Sequence, residues 1–134
     1  MTSIFRTLSL VFAAGCVGAV TNSLAVWLFG DLGINAALGV KIAPELTPAW
    51  LYPRIVWGGI WGILFVIPLL NARLIKKGCI MSLVPTIVQL FIVFPYKSNK
   101  GVAGLELGTL TPLFVLFFNW IWGLVTAITI KFSK

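Results

Sequence analysis

The chain has 134 residues, of which 60% are apolar and only 10% are charged, and its mean hydropathy is +1.06. Because soluble domains carry about 25% charged residues, this chain has too few charges to cover a water-facing surface, and we expect lipid to be most of its solvent. Its net charge of +7 does not indicate nucleic-acid binding, since the Lys and Arg residues lie singly or in small groups at the ends of apolar runs, as membrane anchors do.

The first two apolar stretches are long enough to cross a bilayer. A helix rises 1.5 Å per residue, so a hydrocarbon core of about 30 Å needs roughly 20 residues. The first predicted span covers about residues 7–29 and stops at Gly30 and Asp31, a helix-ending pair. The second covers about residues 48–70 and opens with Thr47 and Pro48, a good N-cap followed by a proline at the first helical position.

Two further spans complete the predicted fold. The third covers about residues 78–95, with Pro85 as a kink, and the fourth covers about residues 112–130. The sequence therefore predicts an all-α polytopic membrane helix bundle, with four transmembrane helices in a single domain over residues 1–134. In this arrangement the outer loops are 30–47 and 96–111, and the cytoplasmic loop is 71–77.

The first stretch also has a rival interpretation as a lipoprotein signal. A basic start, a short apolar run and Ala13-Ala14-Gly15-Cys16 approximate a processing site whose cysteine becomes acylated. The apolar run continues to Phe29, however, which is longer than a signal core needs to be. We expect the first stretch to be a span, and whether Cys16 is modified stays open.

Basic residues between the spans predict the orientation. Most of them lie on one side of the predicted bundle. On the other side the charges nearly balance: the first outer loop has Lys41 with Asp31 and Glu45, and the second has two lysines with Glu106. The basic side has Arg6, Arg73, Lys76, Lys77, Lys131 and Lys134. By the positive-inside rule both termini are cytoplasmic. The small size of the chain favours the bacterial inner (plasma) membrane.

The second and fourth spans resemble each other in sequence. Ile60-Trp61-Gly62 matches Ile121-Trp122-Gly123, and both spans begin with Thr-Pro. One interpretation is a pair of parallel helical-hairpin repeats, an arrangement that some transporters use. The other is that short Trp and Gly clusters recur by chance in apolar helices.

Small residues predict where helices pack closely. Gly15, Gly18 and Asn22 share one face of the first helix, and Gly58 and Gly62 form a GxxxG pattern in the second. Gly123 takes the matching place in the fourth. Small side chains let helix backbones approach where lipid gives no hydrophobic driving force. We expect them to pack within the subunit or against another protein.

One strongly polar side chain per helix falls at a common depth. Asn22, Arg54, Gln89 and Asn119 each lie six or seven residues from the predicted outer end of their span, which is roughly 9 to 10 Å. Because polar groups facing lipid are costly, they should point inward and meet. No span contains an acid for Arg54, so it should reach outward to an acid or meet an anion. These side chains then either hold the helices together by hydrogen bonds or line a shallow pocket for a polar or anionic headgroup.

The first outer loop, residues 30–47, is long and itself apolar. It is expected either to lie along the membrane surface or to fold back over the helix ends as a cap. The second outer loop contains a shorter glycine-rich segment, residues 101–108. Because both loops lie above the polar side chains, one interpretation is a lid over them, and the preferred one is a plain solvent-shielding connection.

The residue types exclude most chemistry. The chain has no His, its few acids lie outside the predicted spans, and Cys16 and Cys79 belong to different spans, so we predict no metal, no cofactor and no enzyme activity. Two function classes survive. The first is a structural or accessory subunit packed on a larger membrane complex. The alternative is a small oligomeric transporter or channel-like protein for a lipid headgroup, anion or small polar solute. The expected partners are membrane lipids, and a membrane protein or further copies of the chain.

Overall fold

The computed structural model describes residues 3–68, 73–97 and 101–133. Within these ranges the chain is all-helical, and it has four helices that are long and apolar enough to cross a membrane. The predicted helical bundle is confirmed at this level. The chain passes along the bundle four times, so its termini share one end, here called the terminal end, and the two longer loops share the other, the loop end.

The first two spans begin with side-chain caps. Helix α1 covers Ile4–Asp31, and the Ser3 hydroxyl accepts a hydrogen bond from the Arg6 amide at 3.1 Å. Helix α2 is a single turn, Ile34–Ala37, in the following loop. Helix α3 covers Pro48–Gly62, with the Trp50 amide donating to the Thr47 hydroxyl at 3.2 Å.

The regular helix of the second span ends at Gly62. After Gly62 it tightens into a 3₁₀ turn, Ile63–Val66, and Ile67 is extended with ψ of 126°. Proline disfavours helical backbone in the residue before it, and Pro68 follows directly. The predicted end at residue 70 lies outside the described residues.

The third span is longer than predicted and interrupted. It consists of α4, Leu74–Met81, then α5, Leu83–Val88, and a π-helix, Gln89–Lys97. The interruption falls near Ser82, because Pro85 has no N–H for the carbonyl four residues before it. The span starts at Leu74 rather than residue 78, so Lys76 and Lys77 belong to a helix and not to the predicted loop 71–77.

The last part of the chain contains the fourth span. Two short turns over Val102–Leu107, joined at a kink where Ala103 and Gly104 have positive φ, occupy part of the predicted loop 96–111. Helix α6 follows over Thr111–Ser133, so it extends past the predicted range at its carboxy-terminal end.

Glycines set the closest helix approaches. Helix α1 packs between α3 and α6, and α4 packs on α6. A Cβ on Gly15 would overlap the Gly58 carbonyl oxygen and come within 3.0 Å of the Gly62 Cα. On the other side of α1, Gly18 lies against Trp122 of α6. The glycines singled out in the first two spans are therefore covered inside the subunit.

A second glycine contact joins α4 to α6. A Cβ on Gly123 would overlap the Gly78 carbonyl oxygen, and a Cβ on Gly78 would lie 2.5 Å from the Gly123 carbonyl oxygen. The sequence pointed to Gly123 but not to Gly78, which sat at the predicted edge of the third span. Apolar side chains fill the terminal half of the bundle around these contacts: Val11, Ala14, Phe65, Met81, Trp122, Ala127 and Ile130.

The first outer loop folds back as a cap. The Lys41 amide donates to the Leu107 carbonyl at 2.7 Å, and the Gly39 carbonyl abuts Gly108. Val40 is buried beneath this contact. Of the two expectations for this loop, these contacts favour the cap, and the two outer loops contact each other at the loop end.

Candidate functional site

Asn22 and Arg54 tie three helices together. Asn22 on α1 is 6% exposed, and its Nδ2 donates to the Phe118 carbonyl of α6 at 2.5 Å. Arg54 on α3 donates from Nη2 to Asn22 Oδ1 at 2.7 Å and from Nε to the Ser23 hydroxyl at 2.9 Å. These bonds fix the guanidinium at the centre of the loop half of the bundle.

The described contacts of Arg54 are all with neutral groups. Its guanidinium carbon lies 4.7 Å from the centre of the Trp50 ring, within the range of a cation–π interaction. Asp31 and Glu45 are exposed and do not reach Arg54 within ion-pair distance. The side chain of Glu106, the third acid considered, is outside the described part of the chain. The positive charge therefore has no counter-ion among the side chains that the structure describes.

Asn119 and Gln89 form a second polar pair. Asn119 of α6 donates from Nδ2 to the Thr86 hydroxyl at 3.0 Å and, at a longer 3.4 Å, to Gln89 Oε1. Thr86 itself donates to the Ser82 carbonyl at 2.7 Å. Ser82 is the residue at the break between α4 and α5, so the break and the polar pair are directly connected.

Two cavities meet at these side chains. The loop cavity, about 370 Å³, lies beneath the two outer loops and touches Lys41, Pro44 and Leu107. The side cavity, about 490 Å³, lies between α3 and the α5–π-helix segment. The same polar side chains line both cavities, and we call them the polar layer: Asn22, Arg54, Gln89 and Asn119. The structure thus brings together all four residues that the sequence placed at one depth.

The side cavity exists because two neighbouring spans stay apart. In the described ranges, α3 makes no extensive contact with α5 or with the π-helix, whereas α1 and α6 pack tightly behind the cavity. Its walls are mainly aromatic and aliphatic, with Trp57 and Trp61 on one side and Val88 and Val93 on the other. The cavity is open to the surroundings of the bundle.

Sequence reasoning missed Lys77, which closes the other end of the gap. Lys77 is 1% exposed, and its ammonium donates to the carbonyls of Phe65 at 2.8 Å and Ile67 at 2.7 Å. These carbonyls end the second span, where a helix leaves unpaired acceptors that favour a cation. Pro68 was the available signal, since it marked the helix end that needs such a partner.

The polar layer has hydrogen-bond donors of the kind that suit an anion. Guanidinium has five N–H donors in a planar fork that matches a carboxylate or phosphate, and Asn22 and Ser23 engage only two of its nitrogens in the described contacts. No group of three His, Cys, Asp or Glu that could hold a metal occurs among the described residues. Comparison of the chain with family models, curated proteins and solved structures gives no match.

Proposed function

We propose that this protein is a small membrane carrier whose polar layer binds an anionic group. The observation that supports this most is Arg54, a half-buried cation that lines both cavities while its described partners are neutral. An uncompensated charge is costly away from water. An anion in the cavity would offset that cost, and the amides of Gln89 and Asn119 would supply further hydrogen bonds.

Insertion in a bilayer is part of this proposal. Large apolar side chains cover the outside of the bundle, each more than half exposed at Val56, Ile87, Phe91, Ile92 and Leu113. Such a surface is unfavourable in water and suits hydrocarbon. The basic residues at the terminal end favour cytoplasmic termini, so the cavities would face outward, and the bacterial plasma membrane is the proposed compartment.

The hairpin repeat is also proposed as part of the carrier. Gly62 of the first Ile-Trp-Gly sequence packs on Gly15, and Gly123 of the second packs on Gly78. Each pair joins the two helices of one hairpin at the same place in the motif. This supports two parallel hairpins that each close on a glycine contact.

An accessory subunit of a larger complex is the second candidate. The terminal half of the bundle is filled by apolar side chains such as Val11, Phe65 and Ile130, which suits a rigid structural protein. Its glycine faces are occupied within the subunit, so a partner would have to contact other surfaces. Purification in mild detergent separates the candidates, because a partner at fixed stoichiometry would favour the accessory role.

Anion binding should depend on Arg54. We expect purified protein to bind glycerol phosphate saturably, and Arg54→Gln to weaken binding about tenfold or more, since a hydrogen bond to a charged group contributes about 1.5–3 kcal/mol. Arg54→Lys should fall between them, because an ammonium cannot form the bidentate fork. Titration calorimetry measures the dissociation constants. Arg73→Gln, at an exposed arginine, is the control, and equal affinity of Arg54→Gln and wild type would refute the proposal.

If water reaches the polar layer, a cysteine placed there should react with a charged thiol reagent added on the side of the loop end. In a Cys16→Ala, Cys79→Ala background in sealed vesicles, we expect Asn119→Cys to be labelled by a charged thiol reagent and protected by glycerol phosphate. Thr126→Cys is the matched control on the same helix, because Thr126 is 0% exposed. Labelling of the two variants at the same slow rate would indicate a dry layer and favour the accessory subunit.

A further inference from the structure

We infer that the ligand of this site is an anionic phospholipid, whose phosphate lies at the polar layer and whose hydrocarbon chain lies in the side cavity between α3 and the α5–π-helix segment. The inference rests on the proposed anion binding and adds the class of ligand. It follows from the walls of the side cavity, from where the cavity opens and from the charges around it.

The walls of the side cavity suit hydrocarbon better than water. Beyond the polar layer they consist mainly of large apolar groups, including Trp57, Trp61, Val88 and Trp122. Water in a cavity needs several polar partners, which these apolar side chains do not offer, whereas a hydrocarbon chain needs no hydrogen bonds. A soluble anion at Arg54 would leave the apolar part of the side cavity unfilled, and a lipid chain would occupy it.

The opening of the side cavity faces sideways from the bundle. At the terminal end Lys77 holds the last carbonyls of the second span, so the gap is closed there. At the loop end the Lys41 amide donates to the Leu107 carbonyl, so the two outer loops contact each other there. Between these two ends of the bundle, α3 and the π-helix do not pack on each other. The exposed side chains of Val56 and Ile92 lie beside this opening. A molecule that enters here comes from the lipid phase.

The charges around the cavities favour an anionic headgroup over a zwitterionic one. Of the described residues that line them, three are cations, Arg54, Lys41 and Lys97, and none is an acid. A phosphate beside Arg54 would have Lys97 at the side cavity and Lys41 at the loop cavity. Among the described side chains that line the cavities, a choline group would meet positive charges and no negative one, so it would be repelled.

The test compares a lipid with its soluble headgroup. Native mass spectrometry of delipidated protein is used with phosphatidylglycerol, phosphatidylcholine and glycerol phosphate. We expect phosphatidylglycerol to bind at least about tenfold more tightly than the other two. Val88→Trp, which fills the side cavity, should weaken phosphatidylglycerol binding about tenfold and leave glycerol phosphate binding unchanged. Ile87→Trp is the control, because the neighbouring Ile87 points outward and is 57% exposed. Melting temperatures confirm that each variant is folded.

The outcomes separate this inference from the proposed function. If glycerol phosphate binds through Arg54 but phosphatidylglycerol binds no better, the lipid inference is overturned and the anion site stands. The same holds if a folded Val88→Trp protein keeps full affinity for the lipid. If phosphatidylglycerol binds equally well to Arg54→Gln, the lipid is only annular and the inference fails. If neither probe binds saturably, both proposals fail.

Discussion

Replacing Gly15 with valine is expected to lower the free energy of unfolding by about 3 kcal/mol, at the upper end of the range for overpacked interiors. The added Cβ would overlap the carbonyl oxygen of Gly58 and press on the Cα of Gly62. Both neighbours are backbone atoms, so no side chain can rotate away, and α1 and α3 would have to separate. Thermal unfolding in detergent, followed by loss of the monodisperse peak, measures the effect.

The control for this substitution lies two residues earlier. Ala13 is on the exposed side of the same helix, so Ala13→Val makes the same product residue without a backbone clash and should change stability by less than about 0.5 kcal/mol. Equal effects at Ala13 and Gly15 would mean that helix propensity, and not the close approach of α1 and α3, governs the result.

Replacing Lys77 with methionine is expected to destabilise the protein by about 2 kcal/mol. Charge-assisted hydrogen bonds contribute about 1.5–3 kcal/mol each. Part of their loss is offset because the methionine protein no longer buries a charge. The substitution leaves the Phe65 and Ile67 carbonyls without the ammonium that they share. Methionine keeps similar length and apolar bulk, so lost packing contributes little. The measurement is the melting temperature in detergent.

Lys76→Met serves as the comparison, since Lys76 precedes Lys77 in α4 but is exposed. It should leave the melting temperature nearly unchanged. Opening of the terminal end is measured separately, as faster labelling of a cysteine introduced at Phe65 in the Lys77→Met protein. Unchanged stability and labelling in that protein would show that the apolar core alone closes the terminal end.

The two halves of the bundle differ in what holds them together. In the terminal half, helix backbones meet directly at Gly15 and Gly78 and apolar side chains fill the remaining space. In the loop half, hydrogen bonds of Asn22 and Asn119 join the helices around open space. This division fits a rigid base that carries a site, with Lys77 at the terminal end, where α4 contacts the 3₁₀ turn that follows α3.

Hydrophobicity along the chain determined the four apolar helices and the common depth of the polar side chains. Both are local properties: length and composition decide whether a segment can span a bilayer, and counting residues from a helix end gives depth because the rise per residue is constant. Asn22, Arg54, Gln89 and Asn119 could therefore be found from the sequence, since each is the strongly polar residue of its span.

Only the tertiary structure decided which groups those side chains meet and where the bundle stays open. The pairing of Arg54 with Ser23, the burial of Lys77 and the gap between α3 and the π-helix depend on how each helix is rotated about its axis and which neighbours it selects. Those choices are made by packing between segments far apart in sequence, and no pattern within a single span contains them.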